Sequence, residues 1–380
     1  MDIVDNNINT IKYINNNKRH VSLSNNIVYW LKINTKYINK KNKSMINKYK
    51  KILNQKDINT IIKCTKHNIN IVPIMYQLSD NNIYLLIHEA FKCINICMIK
   101  HINNHIRINR KLITKQVNIF CQDGHLNVVK YLHREIGLKK QDFQSYDNYA
   151  RKWTCGNGHL NVVKYLHQKI GFTKQDFQSS NNAACQLACQ NGHIDVVKYL
   201  HKEIGITKQD FQSENHYTCL WACEVGHINV VKYLHQNFGF TKNNFQEFDN
   251  YACRMACEKG YVNIVKYLHQ DIGLTEQDFQ SKDNYACRWA CNYGHIKVVK
   301  YLHQEIGLTK QDFQSRNNLA CKWACYGSHL NVVKYLHQDI GLEKDDFQSD
   351  NNYAYINDLK KKHKHNKVIE YLLNVINILS

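Results

Sequence analysis

The chain has 380 residues, and 51 Lys and Arg against 31 Asp and Glu leave it at +20 with histidine neutral. Fifteen Gly and a single Pro exclude collagen-like, mucin-like and linker-dominated chains, and 43% apolar residues are too many for a wholly disordered one. No run of 18 apolar residues occurs, which excludes a membrane-spanning helix, and the opening MDIVDNNINTIKYINNN lacks a secretory pattern. The 15 cysteines are therefore expected to be reduced thiols in a cytoplasmic setting, not a disulfide framework.

Two compositions meet near residue 112. Residues 1–120 carry 20 Lys and Arg against 5 Asp and Glu, whereas residues 121–350 carry 26 against 24, nearly neutral. The first stretch is rich in Asn, Ile and Lys, the bias an AT-rich genome produces, and its charges are scattered, not gathered in one basic block. Residues 1–56 read as a helical, partly disordered cap. Residues 57–112 read as degenerate copies of the unit that follows, since KCTKHNINIVPIM (Lys63–Met75) echoes ACEKGYVNIVKYL.

From residue 113 the chain repeats. Tyr131, Tyr165, Tyr199, Tyr233, Tyr267, Tyr301 and Tyr335 are 34 residues apart, as are Gly124, Gly158, Gly192, Gly226, Gly260 and Gly294. Seven units fill 113–350, and a shortened eighth at 351–380 is expected to cap the array. A fixed period of this size signals a solenoid, because one unit cannot bury its apolar face alone.

The unit DNYACRWACNYGHIKVVKYLHQEIGLTKQDFQSR (Asp283–Arg316) predicts two helices. In the first, over Tyr285–Cys291, Ala286 and Ala290 share one i,i+4 line and Cys287 and Cys291 the next. Gly294 ends it by taking a left-handed conformation. The second starts at His295 with Ile296, Val298, Val299, Tyr301, Leu302 and Ile306 on one stripe, and Gly307 stops it. LTKQDFQSRNN reads as a turn-rich link in which Phe313, like its equivalents in other units, pins the link to the stack.

These units resemble ankyrin repeats. Two alanines, two free positions, Gly-His and a Val-rich helix ending in leucine correspond to ACNYGHIKVVKYL (Ala290–Leu302), over about two thirds of the chain. The resemblance implies an all-α solenoid of stacked helix-turn-helix repeats with connecting hairpin loops. The family's Thr-Pro-Leu-His start is replaced by Tyr285, Ala286, Cys287 and Arg288, and the usual period of ~33 is exceeded by one residue before Gly307. Composition and the KYLHQEIGLTKQDFQS wording are similar to the expanded ankyrin families of giant DNA viruses of the mimivirus type.

Chemistry is weighed against this lattice. Cys-x3-Cys-x3-His, as in Cys287, Cys291 and His295, offers zinc-ligand types. These cysteines nonetheless occupy small core positions, Gly294 breaks the helix before the histidine, and Tyr261 replaces that histidine in one unit. No metal, cofactor or catalytic residue is assigned, because a nucleophile with its base should be singular, whereas Cys and His recur in register.

Variation between units is more informative. The residue after Gln-Ser changes most: Tyr146, Ser180, Glu214, Phe248, Lys282 and Arg316. The resemblance places it at the tip of a hairpin finger beside a concave partner-binding face. Trp153, Trp221, Trp289 and Trp323 recur in the first helix, with Arg254, Arg288 and Lys322 at the adjacent position. Trp, Tyr and Arg dominate interface hot spots, while the alternative is that each Trp packs on the next unit as core. The expected function is a monomeric, non-enzymatic scaffold whose concave face binds an acidic protein, and the viral resemblance implies that this protein belongs to a host cell. The competing expectation is nucleic-acid binding through the basic N-terminal region.

Overall fold

The computed structural model describes residues 110–211, 217–348 and 367–377. The expected cap at 1–56, nearly all of the degenerate copies at 57–112, and residues 349–366 lie outside the described residues. Contacts group the chain into two units, Met1–Arg151 with Lys164–Gly171, and Lys152–Val163 with Phe172–Ser380. In the first, helices Arg110–Gln122 and Leu126–Arg134 meet at Gly124 (φ +77°) and bury Val117, Cys121, Val128, Val129 and Leu132.

The second unit is a series of helix pairs. First helices Ala183–Gln190, Tyr217–Val225 and the later parts of Lys242–Glu258, Ser281–Asn292 and Ser315–Tyr326 pack side by side in chain order. Second helices Ile194–Lys202, Ile228–Phe238, Val262–Gln270, Ile296–Tyr301 with its extension to Ile306, Leu330–Gln338 and Lys367–Asn374 form a parallel row. Isolated helices shorter than about 12–15 residues are marginal in water, so packing must hold these. In the unit from Asp283, Ala286, Cys287, Ala290, Cys291, Val298, Val299, Leu302 and Phe313 are all fully buried. Each large apolar side chain among them contributes about 1.5–3 kcal/mol. The small Ala and Cys let neighbouring first helices approach closely.

The thirty-fourth residue has a visible home. The last turn of the second helix is widened, so that the amides of Ile204, Ile272 and Ile340 donate to the carbonyls of Tyr199, Tyr267 and Tyr335, five residues back, at 3.3, 3.1 and 3.1 Å. One extra residue is thus absorbed as a π turn without disturbing the stack. Gly307 (φ +94°) then reverses the chain, and the Leu308 amide reaches back to the Leu302 carbonyl at 3.0 Å.

The connecting segment, read from the sequence as a turn-rich loop, contains a capped helical turn, Lys310–Phe313, and no strand occurs among the described residues, as an all-α fold requires. Thr309 donates its amide and hydroxyl to Asp312 Oδ2 at 2.7 and 2.9 Å, a capping box that TKQD encodes locally. Asp312 Oδ1 accepts from Gln280 of the preceding unit at 3.0 Å, and Gln246 to Asp278 and Gln314 to Asp346 repeat the bond at 2.7 Å. Burial opposes the charge of Asp278, yet the Thr275 amide, Gln246 and Lys242 together hold its carboxyl below the usual range. Phe313, fully buried, anchors the turn.

A second row of ties runs along the second helices. His201, His235, His269, His303 and His337 each hydrogen-bond through Nδ1 to the hydroxyl of the tyrosine one unit on, at 2.9–3.0 Å. The Gly-His junction is a third. His295 and His329 donate from Nε2 to the carbonyls of Glu258 and Asn292 in the preceding unit, each at 2.9 Å. These cross-unit bonds stand where the Thr-Pro-Leu-His chemistry is absent.

Candidate protein-binding face

The variable positions sit in an unusual backbone. Ser180–Asn182, Phe248–Asn250, Lys282–Asn284 and Arg316–Asn318 are runs of three left-handed residues, with φ between +51° and +61°. Asn and Asp tolerate this conformation best and occupy the last two places of each run. The first place is the one that changes from unit to unit. Phe248 is 44% exposed, Lys282 and Arg316 are exposed, and Ser180 is half-buried. Tyr146 falls in the helix Ser145–Gly156, and Glu214 lies outside the described residues.

Several of the singled-out cations are engaged within the chain. Lys282 Nζ pairs with Asp249 at 2.7 Å, and Arg316 Nη2 with Asp283 at 2.6 Å, each linking one left-handed run to the preceding one. The hydrogen bond and charge of Lys282 hold the Asp249 carboxyl below its ordinary range. Arg254 donates to the carbonyls of Asp249 and Phe248, both at 2.9 Å, and Arg288 to those of Asp283 and Lys282 at 2.8 and 2.9 Å. One guanidinium fork thus bonds two successive carbonyls of the left-handed run at once. Arg288 is only 4% exposed, so this residue, expected to face a partner, is instead a clamp on its own turn. Lys322, half-buried, forms no ion pair among the described residues.

The tryptophans divide differently. Trp153, Trp221, Trp289 and Trp323 are all half-buried, neither sealed in the core nor free. Around Trp289 the structure gathers further aromatics, of which Tyr285 is not singled out by the repeat pattern as a binding residue. Tyr285 and Trp289 stand at i and i+4 on one helix face and Tyr293 follows at the helix end, with ring centroids 5.4 and 5.6 Å apart. Trp323 of the next unit lies 4.9 Å from Trp289, and the Arg288 guanidinium sits 5.7 Å over the Trp323 ring. Tyr293 is 48% and Tyr326 65% exposed. Tyr285 donates to Glu258 at 2.5 Å, and burial together with that carboxylate pushes its hydroxyl pKa up. The spacing Tyr-x3-Trp-x3-Tyr was the available sequence signal for this surface.

The Cys-x3-Cys-x3-His sets do not converge. The thiols are buried, and Cys253 and Cys287 lie within hydrogen-bonding reach of the carbonyls of Asn250 and Asn284, at 3.2 and 3.3 Å. Burial raises the Cys325 pKa to about 12, which keeps it a neutral thiol. Among the described residues no three His, Cys, Asp or Glu are placed to hold a metal ion, and no helix is long and apolar enough to cross a membrane.

A search of curated proteins found no match. The family model described as "Ankyrin repeats (3 copies)" matches residues 117–212, 188–282 and 253–348. Those overlapping matches cover more than half of the chain and agree with the helix pairs, the Gly-His junctions and the serial packing described above, so the chain belongs to the ankyrin-repeat family.

Proposed function

We propose that this chain is a non-catalytic scaffold that binds a host-cell protein across the face formed by its first helices and left-handed turns. The observation that carries this reading is the aromatic cluster of Tyr285, Trp289, Tyr293 and Trp323, part buried and part open, with exposed Tyr326 three residues beyond Trp323 in sequence. Aromatic side chains bring large contact area at small conformational cost, and scattered exposed residues do not form such a continuous surface. Phe248 and the other first-place turn residues supply the variation that selects a partner. Because Lys282, Arg316, Arg254 and Arg288 are already paired within the chain, aromatic burial drives binding, and Lys322 adds a secondary preference for acidic groups. The nucleic-acid reading rests on residues 1–120, of which 1–109 lie outside the described residues.

The test places a photo-crosslinking amino acid at Tyr293 or Tyr326, captures partners from producing cells, and repeats the capture with Trp323→Ala. Crosslinks to one dominant protein, lost in W323A while the fold persists, support the reading. Equal crosslinking from Lys202 on a second helix would overturn it.

A further inference from the structure

The second-helix face carries a feature that partner binding on the first helices does not use. Between Ile296–Ile306 and Leu330–Gln338 lies an open groove of about 440 Å³. Lys297, Lys300 and Lys334 line it, with the amides of Asn331 and Gln338 and one carboxylate, Asp339. All six side chains are exposed, and none of the three lysines forms an ion pair among the described residues. Three ammonium groups against one carboxylate give the groove a local charge of +2.

This excess is not a reflection of general composition, since residues 121–350 as a whole are nearly neutral. Its source is legible in the repeat. Lys300 and Lys334 recur in every unit, but at the position of Lys297 the other units carry Asn127, Asn161, Asp195, Asn229, Asn263 and Asn331. Two of the lysines are also held in place: Lys300 Nζ sits 5.2 Å over the Tyr335 ring, and Lys334 Nζ 5.5 Å over Tyr371. A compact ammonium on a restrained stem binds phosphate as a point charge, and neutral amides beside it can donate to the remaining oxygens.

We propose that this groove is a binding site for a phosphate-bearing small anion, gripped by Lys297, Lys300 and Lys334 and oriented by Asn331 and Gln338. Asp339 sets its selectivity by opposing ligands whose charge lies at that end. The site is separate from the aromatic face and stands or falls independently of it.

The experiment titrates inorganic pyrophosphate into the full chain at low ionic strength, read by calorimetry and by amide shifts of Asn331 and Gln338. Saturable one-site binding is expected. Lys297→Asn, which installs the residue other units tolerate, should weaken it about fivefold, the scale of one exposed ion pair. Asp339→Asn should tighten it by a similar factor, and Lys202→Asn, on another unit, should leave it unchanged. Thermal melts of all three variants should match the parent. Absence of saturation, equal loss from K202N and K297N, or indifference to both K297N and D339N would each overturn the assignment.

Discussion

Gly294 joins two helices and two units at once, which makes Gly294→Ala a severe test of how the stack is held. Its φ is +73°, and a Cβ built there would lie 2.4 Å from Nδ1 of His329 in the next unit. A left-handed alanine costs about 1–2 kcal/mol. The clash adds about 1–3 kcal/mol of overpacking, because His329 is fixed by its bond to the Asn292 carbonyl and cannot simply move away. Together the substitution should destabilise by roughly 2–5 kcal/mol. Gly273 provides the control, since its φ is +82° but nothing lies within 4 Å of an added Cβ. Gly273→Ala should therefore show only the backbone part, about 1–2 kcal/mol. Urea unfolding followed by tryptophan fluorescence measures both. His329→Ala in the G294A background should recover the clash part, giving a coupling energy of about 1–3 kcal/mol in a double-mutant cycle. Equal effects of G294A and G273A, or a cycle that closes to zero, would refute the view that the Gly-His junction is a cross-unit steric lock.

Further outcomes follow from the same geometry. Ser328 occupies a left-handed position (φ +57°) where other units place Gly, so Ser328→Gly should stabilise by about 0.5–1 kcal/mol; a lower urea midpoint would contradict this. Burial lowers the pKa of His193, His227 and His295, so the fold favours their neutral forms, and the unfolded chain takes up protons first as the solution is acidified. That stability is fully present above the ordinary histidine pKa and is lost as pH falls through the depressed folded values. The melting temperature should therefore drop between pH 7.5 and 5, and His295→Gln should flatten the slope; an unchanged slope counts against it. Arg288→Lys keeps the charge but cannot span two carbonyls, so it should destabilise by about 1–3 kcal/mol, while Lys322→Arg should not.

Much of the architecture is legible in the amino-acid sequence. The 34-residue interval, the Ala/Cys and Val/Leu stripes and the two glycines of each unit correspond to the observed helix pairs, because helical periodicity and left-handed stops are local properties. The capped turn at TKQDFQ was readable too, through Thr309 and Asp312, but Ser, Asn and Gln nearby gave the segment the composition of a loop. The roles of Arg254 and Arg288 were not readable. Nothing in their neighbours announces that three consecutive non-glycine residues will turn left-handed and expose carbonyls for a guanidinium to collect.

The division is one of distance along the chain. Helix positions, stops, caps and the buried identity of the cysteines follow from interactions within a few residues, and these the amino-acid order determined unaided. Which cation stands free and which is consumed by a neighbour depends on groups some 33 residues apart, such as Lys282 with Asp249 and Arg316 with Asp283. The same holds for Trp289 and Trp323, which meet across two units. Stacking brings such residues within a few ångströms of each other, and only the packed array decides what remains on its surface for another molecule to meet.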